Sequence, residues 1–533
     1  MHTAIQDIEM TLIYSVYLLL FLLSTVQAEN IPLIDLTRLR LLDPPETTSV
    51  GVRIIADQYF EQKIDHFNPT DTRVWNQRYH INEDYYNESS KNHVFLMLGG
   101  EWEATINWLN SGAWIQSATK YGALLFYLEH RYYGKSHPFE NLSTENLRYL
   151  NAPQALEDAA NFIRGMNKKY NIETTEAKWI VFGGSYAGTL ASWIRQKYPH
   201  LVAGAVDSSG PLEAKLDFHE YFQVVRESLA TQSDSCVNNI KEAFDELEEL
   251  VGGCLEDTAV YEDLNSMFSL CTSIEQSEGN EKDLSSLFET LAGSNFAYIV
   301  QYNGMLSISM NGVCNIMNDE SKGTPLQRLG QVNSLILQYF GYNCTSYSYE
   351  EIVTYYQNTA ISTSSMARQW YYQTCTEYGF YQTSSQENPI FGSRFNVSFF
   401  TDLCSGIFGS QFNEELISAG INATNVLYGG VTAPVSKVVH FHGRIDPWHA
   451  LGKLETTDDV GDSVIIVDGA SHCASLYAIS STDSEDLANA KAEIHRLTGI
   501  WLGIDEVREP DSASSIGVSL YLLSIGFIIY FIN

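Results

Sequence analysis

Trp179–Phe182 (WIVF) runs directly into Gly183-Gly184-Ser185-Tyr186-Ala187-Gly188, and a helical stretch, Gly188–Tyr198, follows until Pro199 stops it. A short apolar strand, a glycine-rich turn around a serine and then a helix form the setting of a nucleophile elbow. The serine sits on a sharp, strained turn, and small neighbours let strand and helix come close. The strict pattern is G-x-S-x-G. Here Ala187 holds the last position and Gly188 comes one residue later, a mild departure because Ala adds little bulk.

Working outward, five more apolar runs each end in a glycine-rich or polar loop: Val94–Leu98, Ala123–Leu128, Val202–Val206, Val438–His442 and Val464–Val467. Continuous apolar runs of this length are the mark of parallel strands buried on both faces. Ala152–Met166 carries Leu156, Ala159, Ala160 and Ile163 at helical spacing, with Asn151 as N-cap and Pro153 in the first turn. Strand–helix alternation predicts an α/β sheet with helices on both faces.

Residues 212–425 break this pattern. They hold seven of the eight cysteines and many polar, helix-forming segments such as Ile240–Leu247. This stretch reads as an inserted, mostly helical, disulfide-stapled lid domain. The hydrolase-like unit then falls into two parts, 29–211 and 426–505. The cysteines are Cys236, Cys254, Cys271, Cys314, Cys344, Cys375, Cys404 and Cys473. In an oxidising compartment they predict up to four disulfides, among 105 pairings that sequence cannot choose between.

Both ends point to the secretory pathway. Thr11–Leu23 is apolar and Val26 and Ala28 fit a cleavage site, so residues 1–28 read as a signal peptide, with Met10 as an alternative start. At the other end, residues 506–533 form a polar linker and an apolar tail, Ile516–Ile532, preceded by Ser512-Ala513-Ser514-Ser515. A glycolipid-anchor signal and a single spanning helix both fit, and either tethers the protein to a membrane. Five N-x-[ST] sequons, at Asn87, Asn141, Asn343, Asn396 and Asn422, are candidate glycosylation sites. The formal net charge of −34 repels phosphate backbones and excludes general nucleic-acid binding.

A serine hydroxyl needs a base, and the base needs an orienting carboxylate. On this architecture they follow in the order Ser, acid, His, on loops at strand C-terminal ends. Asp446 follows the VVHFH strand and His472 follows the VIIV strand. The assignment is therefore Ser185 as nucleophile, Asp446 as acid and His472 as base. Asp462 and Asp468 are rival acids, but neither ends the strand before the histidine's own. His495 falls on a helical segment and reads as structural. The oxyanion hole is assigned to the backbone N–H of Tyr186 and of Gly100, in the loop after VFLML. His440, His442, Asp446 and His449 lack a Cys or Glu partner, so no metal is assigned.

These residues carry a family resemblance. Tyr59–Phe67 (YFEQKIDHF), Leu128–Pro138 (LEHRYYGKSHP), Leu150–Asp158 (LNAPQALED), Phe182–Leu190 (FGGSYAGTL), Tyr198–Val206, His442–Leu451 (HGRIDPWHAL) and Gly469–Leu476 are similar to segments of one serine peptidase family. The chain resembles the lysosomal prolyl carboxypeptidase and dipeptidyl peptidase II family, and most of all its thymus-specific serine protease branch. The resemblance implies an α/β-hydrolase fold with a helical lid. It also implies the same Ser185, Asp446 and His472, cleavage on the carboxyl side of proline, and no cofactor. Members of the family are lysosomal, vesicular or secreted glycoproteins. Ala187 follows the thymus-specific branch, while Ser471 and Cys473 flank His472 where the exopeptidase branches carry paired histidines. Asp207 stands where the family more often has a small residue, and it reads as a capping carboxylate rather than a ligand for a substrate ammonium.

The expected protein is thus a serine peptidase of short peptides, acting as a dipeptidyl-peptidase or a carboxypeptidase. It is expected to be secreted, lysosomal or vesicular, or anchored at the cell surface. Peptides are the expected partners, and a homodimer is compatible with the reading. An esterase or lipase on the same fold is the alternative enzyme, and a non-catalytic adhesion ectodomain the alternative without chemistry.

Overall fold

The computed structural model describes residues 55–87, 92–172, 176–252, 258–275, 280–362, 365–457 and 461–504. The segment read as a signal peptide and the apolar tail lie outside them. Among the described residues no helix is long and apolar enough to cross a membrane.

Ten strands occur among the described residues. In chain order they are β1 (Gln58–Lys63), β2 (Val74–Asn82), β3 (His93–Leu98), β4 (Leu124–Leu128), β5 (Lys178–Gly184), β6 (Val202–Ser208), β7 (Lys215–Asp217), β8 (Gly379–Tyr381), β9 (Val438–Gly443) and β10 (Ser463–Val467). Eight build one sheet in the order β1-β2-β4-β3-β5-β6-β9-β10. All six apolar runs picked out from the sequence are strands of this sheet, and they pair in parallel. The sheet is mixed rather than wholly parallel, because β2 runs antiparallel to both β1 and β4. β1 and β2 escape a search for apolar runs because they lie at one margin of the sheet. Their residues mix polar and apolar types (QYFEQK and VWNQRYHIN) and form no continuous apolar run. The central strands are covered on both faces, and Val94, Phe95, Leu96 and Val181 are fully buried.

Two helices flank the elbow. Helix α1 (Ala152–Lys169) begins as the sequence predicts: the Asn151 side chain accepts the Gln154 N–H and Pro153 sits in the first turn. Helix α2 (Tyr186–Lys197) starts two residues earlier than read, directly after Ser185. This is an α/β-hydrolase sheet.

Between β6 and β9 the chain leaves the sheet, although the two strands pair directly, Ala205 opposite Val438. The excursion is a mostly helical insertion. It includes Asp234–Gly252, α3 (Glu281–Ala292), Pro325–Phe340, Val397–Phe408 and Glu414–Tyr428, plus the small parallel pair β7–β8. Three disulfides, Cys236–Cys314, Cys271–Cys344 and Cys375–Cys404, lie wholly inside it. By loop-closure entropy each contributes roughly 3–5 kcal/mol against unfolding. The expectation of up to four is corrected at Cys473, which is a buried free thiol on the loop after β10. Cys254 lies outside the described residues. The insertion packs onto the sheet unit through one apolar cluster, in which Trp193 of α2 stacks on Tyr428 at 3.7 Å.

Candidate active site

Ser185 joins β5 to α2 with φ 56° and ψ −132°, a conformation that L side chains rarely adopt. Such a residue costs about 1–3 kcal/mol and persists only where its surroundings force it. Here they do. A Cβ built on Gly183 would lie 2.0 Å from the Ala187 carbonyl oxygen, and one on Gly188 would lie 2.5 Å from Asp207 Oδ1. Close approach is therefore demanded at Gly183 and Gly188, while position 187 tolerates a methyl group. The Ser185 N–H donates to the Ser208 carbonyl on neighbouring β6, at 2.8 Å. Because Ser185 directly precedes α2, the unpaired N–H groups and positive dipole end of that helix face it.

Asp446 and His472 stand on the loops after β9 and β10. His472 Nδ1 donates to Asp446 Oδ2 at 2.9 Å, and both side chains are buried. Burial alone would raise the Asp446 pKa. The adjoining His472 charge and hydrogen bonds from His472 and Ser209 outweigh it and hold the carboxyl below the usual range. Asp446 Oδ1 also accepts the Trp448 N–H at 3.1 Å. The His472 backbone N–H donates to the Gln301 carbonyl at 2.9 Å, and its ring meets Tyr302 edge-on, with centroids 5.9 Å apart. The next residue ties this loop to the elbow: the Cys473 N–H donates to Ser209 Oγ at 2.9 Å, and its thiol bonds the Ser208 carbonyl and the Ser185 backbone.

The rivals sit elsewhere. Asp468 is exposed and pairs with Arg444, Asp462 is buried against Lys453, and His495 is bonded to Ser117. Asp207 is fully buried behind the elbow. Its Oδ2 binds His440 Nδ1 at 2.7 Å and its Oδ1 accepts the Gly210 N–H at 2.9 Å, so it caps a turn. His449 Nδ1 bonds the Asp446 carbonyl oxygen at 2.6 Å.

Ser185 opens into a cavity walled by both the sheet unit and the insertion. Glu101, Tyr302, Trp370, Phe380 and Trp448 are among its lining residues. Aromatic faces dominate: Phe380 packs on Tyr378 at 5.3 Å and on Trp448 at 5.4 Å. Asp446 and His472 lie just behind this wall. Gln301 connects them to it, since its Oε1 accepts from Trp448 Nε1 at 3.0 Å and from the Tyr221 hydroxyl at 2.7 Å. The Tyr186 ring is pinned beneath the elbow, its hydroxyl 3.1 Å from His130 Nε2 and 2.9 Å from Gln373 Nε2. Burial lowers the His130 pKa to about 4, so that ring is neutral at physiological pH. Gly100 is buried on the loop after β3, the strand paired with β5, and the same loop brings Glu101 into the cavity.

Sequence reasoning missed Glu101 as a side chain and missed Ser209, Gln301, Trp370 and Phe380. Glu101 had a signal, its place beside Gly99-Gly100. The insertion residues had none, because only tertiary packing brings them to the elbow. All five sequon asparagines are exposed.

Residues 62–494 match the family model described as serine carboxypeptidase S28. A Caenorhabditis elegans protein is 36% identical over 464 residues, covering 84% of this chain and 88% of the other. The thymus-specific serine protease of Mus musculus is 34% identical over 458 residues, covering 83% and 87%. The lysosomal Pro-X carboxypeptidase of Homo sapiens is 28% identical over 432 residues, covering 78% and 82%. Among solved structures, a proline iminopeptidase of Mycobacterium smegmatis aligns with 83% of this chain and 99% of its own, at 9% identity and TM-score 0.35. The three disulfides of the insertion are of the kind that form in an oxidising compartment. The chain belongs to the serine carboxypeptidase S28 family and is a serine-type peptidase.

Proposed function

We propose that Ser185, Asp446 and His472 act as nucleophile, acid and base of an exopeptidase that cleaves short peptides after proline. The observation that carries this reading is the 2.9 Å bond from His472 Nδ1 to Asp446 Oδ2, on a loop fastened to the strained Ser185 elbow. Asp446 keeps Nδ1 protonated, which leaves Nε2 as the free base. Ser185 Oγ attacks the scissile carbonyl carbon and His472 takes its proton. The N–H groups of Tyr186 and Gly100 receive the oxyanion. Collapse expels the amine, which takes the proton from His472, and water then hydrolyses the acyl-enzyme by the same route. The aromatic faces of Trp370, Phe380 and Trp448 supply a surface on which a proline ring packs.

In this reading residues 212–425 are a lid over a hydrolase unit formed by 29–211 and 426–505. Residues 1–28 direct secretion, Asn87, Asn141, Asn343, Asn396 and Asn422 carry glycans, and residues 506–533 tether the protein to a membrane.

A fluorophosphonate probe tests the chemistry. Wild type is expected to label at pH 5 and pH 7, and Ser185→Ala to remain unlabelled and to lose peptidase activity by about 10⁴-fold or more. Equal labelling of the two proteins overturns the assignment. A panel of peptides with proline or alanine before the scissile bond then reads the proline preference.

A further inference from the structure

The Ser185 cavity carries a charge pattern that the proposed triad does not use. Glu101 is over nine-tenths buried in its wall, and its Oε2 has no hydrogen-bond partner. Glu289, from α3 of the insertion, lines the same cavity. Among the described residues lining it, none is Lys, Arg or His. The titratable groups within electrostatic reach of Glu101 are Tyr133, Tyr186, Tyr302 and Cys473. Burial raises the pKa of all four, so each stays protonated and none supplies a positive charge.

Burial keeps the unpartnered Glu101 carboxyl protonated in the empty site, its pKa raised to about 8, and an ammonium placed against it favours the ionised form, so the arrangement is neutral when empty and paired when filled. It suits a wall that receives a cation with its substrate. A peptide carries one cation at a fixed place, its N-terminal ammonium, and one anion at the other end. A cavity that presents Glu101 and has no Lys, Arg or His among its described lining residues disfavours the second and favours the first. We infer that this site grips the free N-terminus of its peptide, with Glu101 as the ammonium's partner, and so releases a short N-terminal fragment rather than a C-terminal residue. Glu101 is a specificity-determining residue here: it holds the substrate end, and Ser185 performs the attack. The inference rests on the proposed Ser185 chemistry and names which end of the peptide that chemistry addresses.

The test compares peptides on the purified, full-length protein. One proline-containing peptide is supplied with a free or an acetylated N-terminus, and separately with a free or an amidated C-terminus. Acetylation is expected to lower kcat/KM by at least about 30-fold, the loss that follows when a buried charge loses its partner. C-terminal amidation is expected to change it by less than about twofold. In Glu101→Gln the ratio of free to acetylated rates is expected to fall towards one, with the loss in KM more than in kcat. Comparable cleavage of free and acetylated peptides by wild type, or a requirement for a free C-terminal carboxylate, overturns the inference. The wild-type comparison needs no variant, so a misfolded Glu101→Gln does not block it. Fluorophosphonate labelling of Ser185 in the same preparation separates the two failures. Labelling without N-terminal preference sinks only the ammonium site, whereas absent labelling sinks the triad.

Discussion

At the residue scale, the site is held by contacts too close to tolerate one added carbon. A methyl group on Gly183 would overlap the Ala187 carbonyl oxygen, so Gly183→Ala must open the turn that sets the Ser185 backbone. The expected result is a stability loss of about 2 kcal/mol or more in urea titration, together with lost probe labelling. Asp446→Asn leaves the shape but removes the charge that orients His472, and a fall in kcat of about 10⁴-fold is expected with little change in KM. Glu101 gives a pH prediction. Burial raises its pKa from 4.5 to about 8. Between those values the unfolded chain gives up a proton that the folded chain keeps, so this residue's contribution to stability declines as pH rises through that window. Glu101→Gln removes the decline. Its stability relative to wild type is expected to rise between pH 5 and pH 8, as read by urea unfolding at the two values.

At the element scale, the joint between insertion and sheet unit is a hydrogen-bonded cluster under the elbow. Gln373 donates to the Tyr186 hydroxyl and accepts from the Tyr133 hydroxyl at 2.6 Å, inside a fully buried region. Gln373→Ala leaves two buried phenols each short of one partner, and a cost of about 1–3 kcal/mol is expected in thermal unfolding. The elements also explain what could be read from sequence. β3 to β6, β9 and β10 were legible because strands covered on both faces must be apolar throughout. β1 and β2, at the margin, mix polar and apolar residues, and β7 and β8 are only three residues long. The places of Ser185, Asp446 and His472 were legible because each lies on the segment that follows an apolar strand. Gln301 and Phe380 were not, since nothing in local periodicity says that an insertion segment will roof a particular loop. The disulfide partners were not legible either: they lie 78, 73 and 29 residues apart, and only the packed insertion selects them.

At the scale of the whole molecule, buried ionisable groups oppose one another. His130, His442 and His495 are each lowered by burial to about 4, so unfolding below their ordinary value of 6.5 takes up protons and stability falls with acid. Glu101 and Glu377 are raised by burial to about 8 and about 7, so their contribution falls towards neutral pH. A melting temperature highest at roughly pH 5–7, declining on both sides, is expected from a thermal scan across buffers. The insertion between β6 and β9 has one more consequence, for the order of synthesis. Ser185 leaves the ribosome long before Asp446 and His472, and the whole disulfide-bonded insertion emerges between them. At roughly 5–20 residues per second the delay is on the order of tens of seconds. In the proposed chemistry the growing chain carries a serine without its base for all that time. The proposed acyl transfer therefore begins only once the last two strands of the sheet have docked.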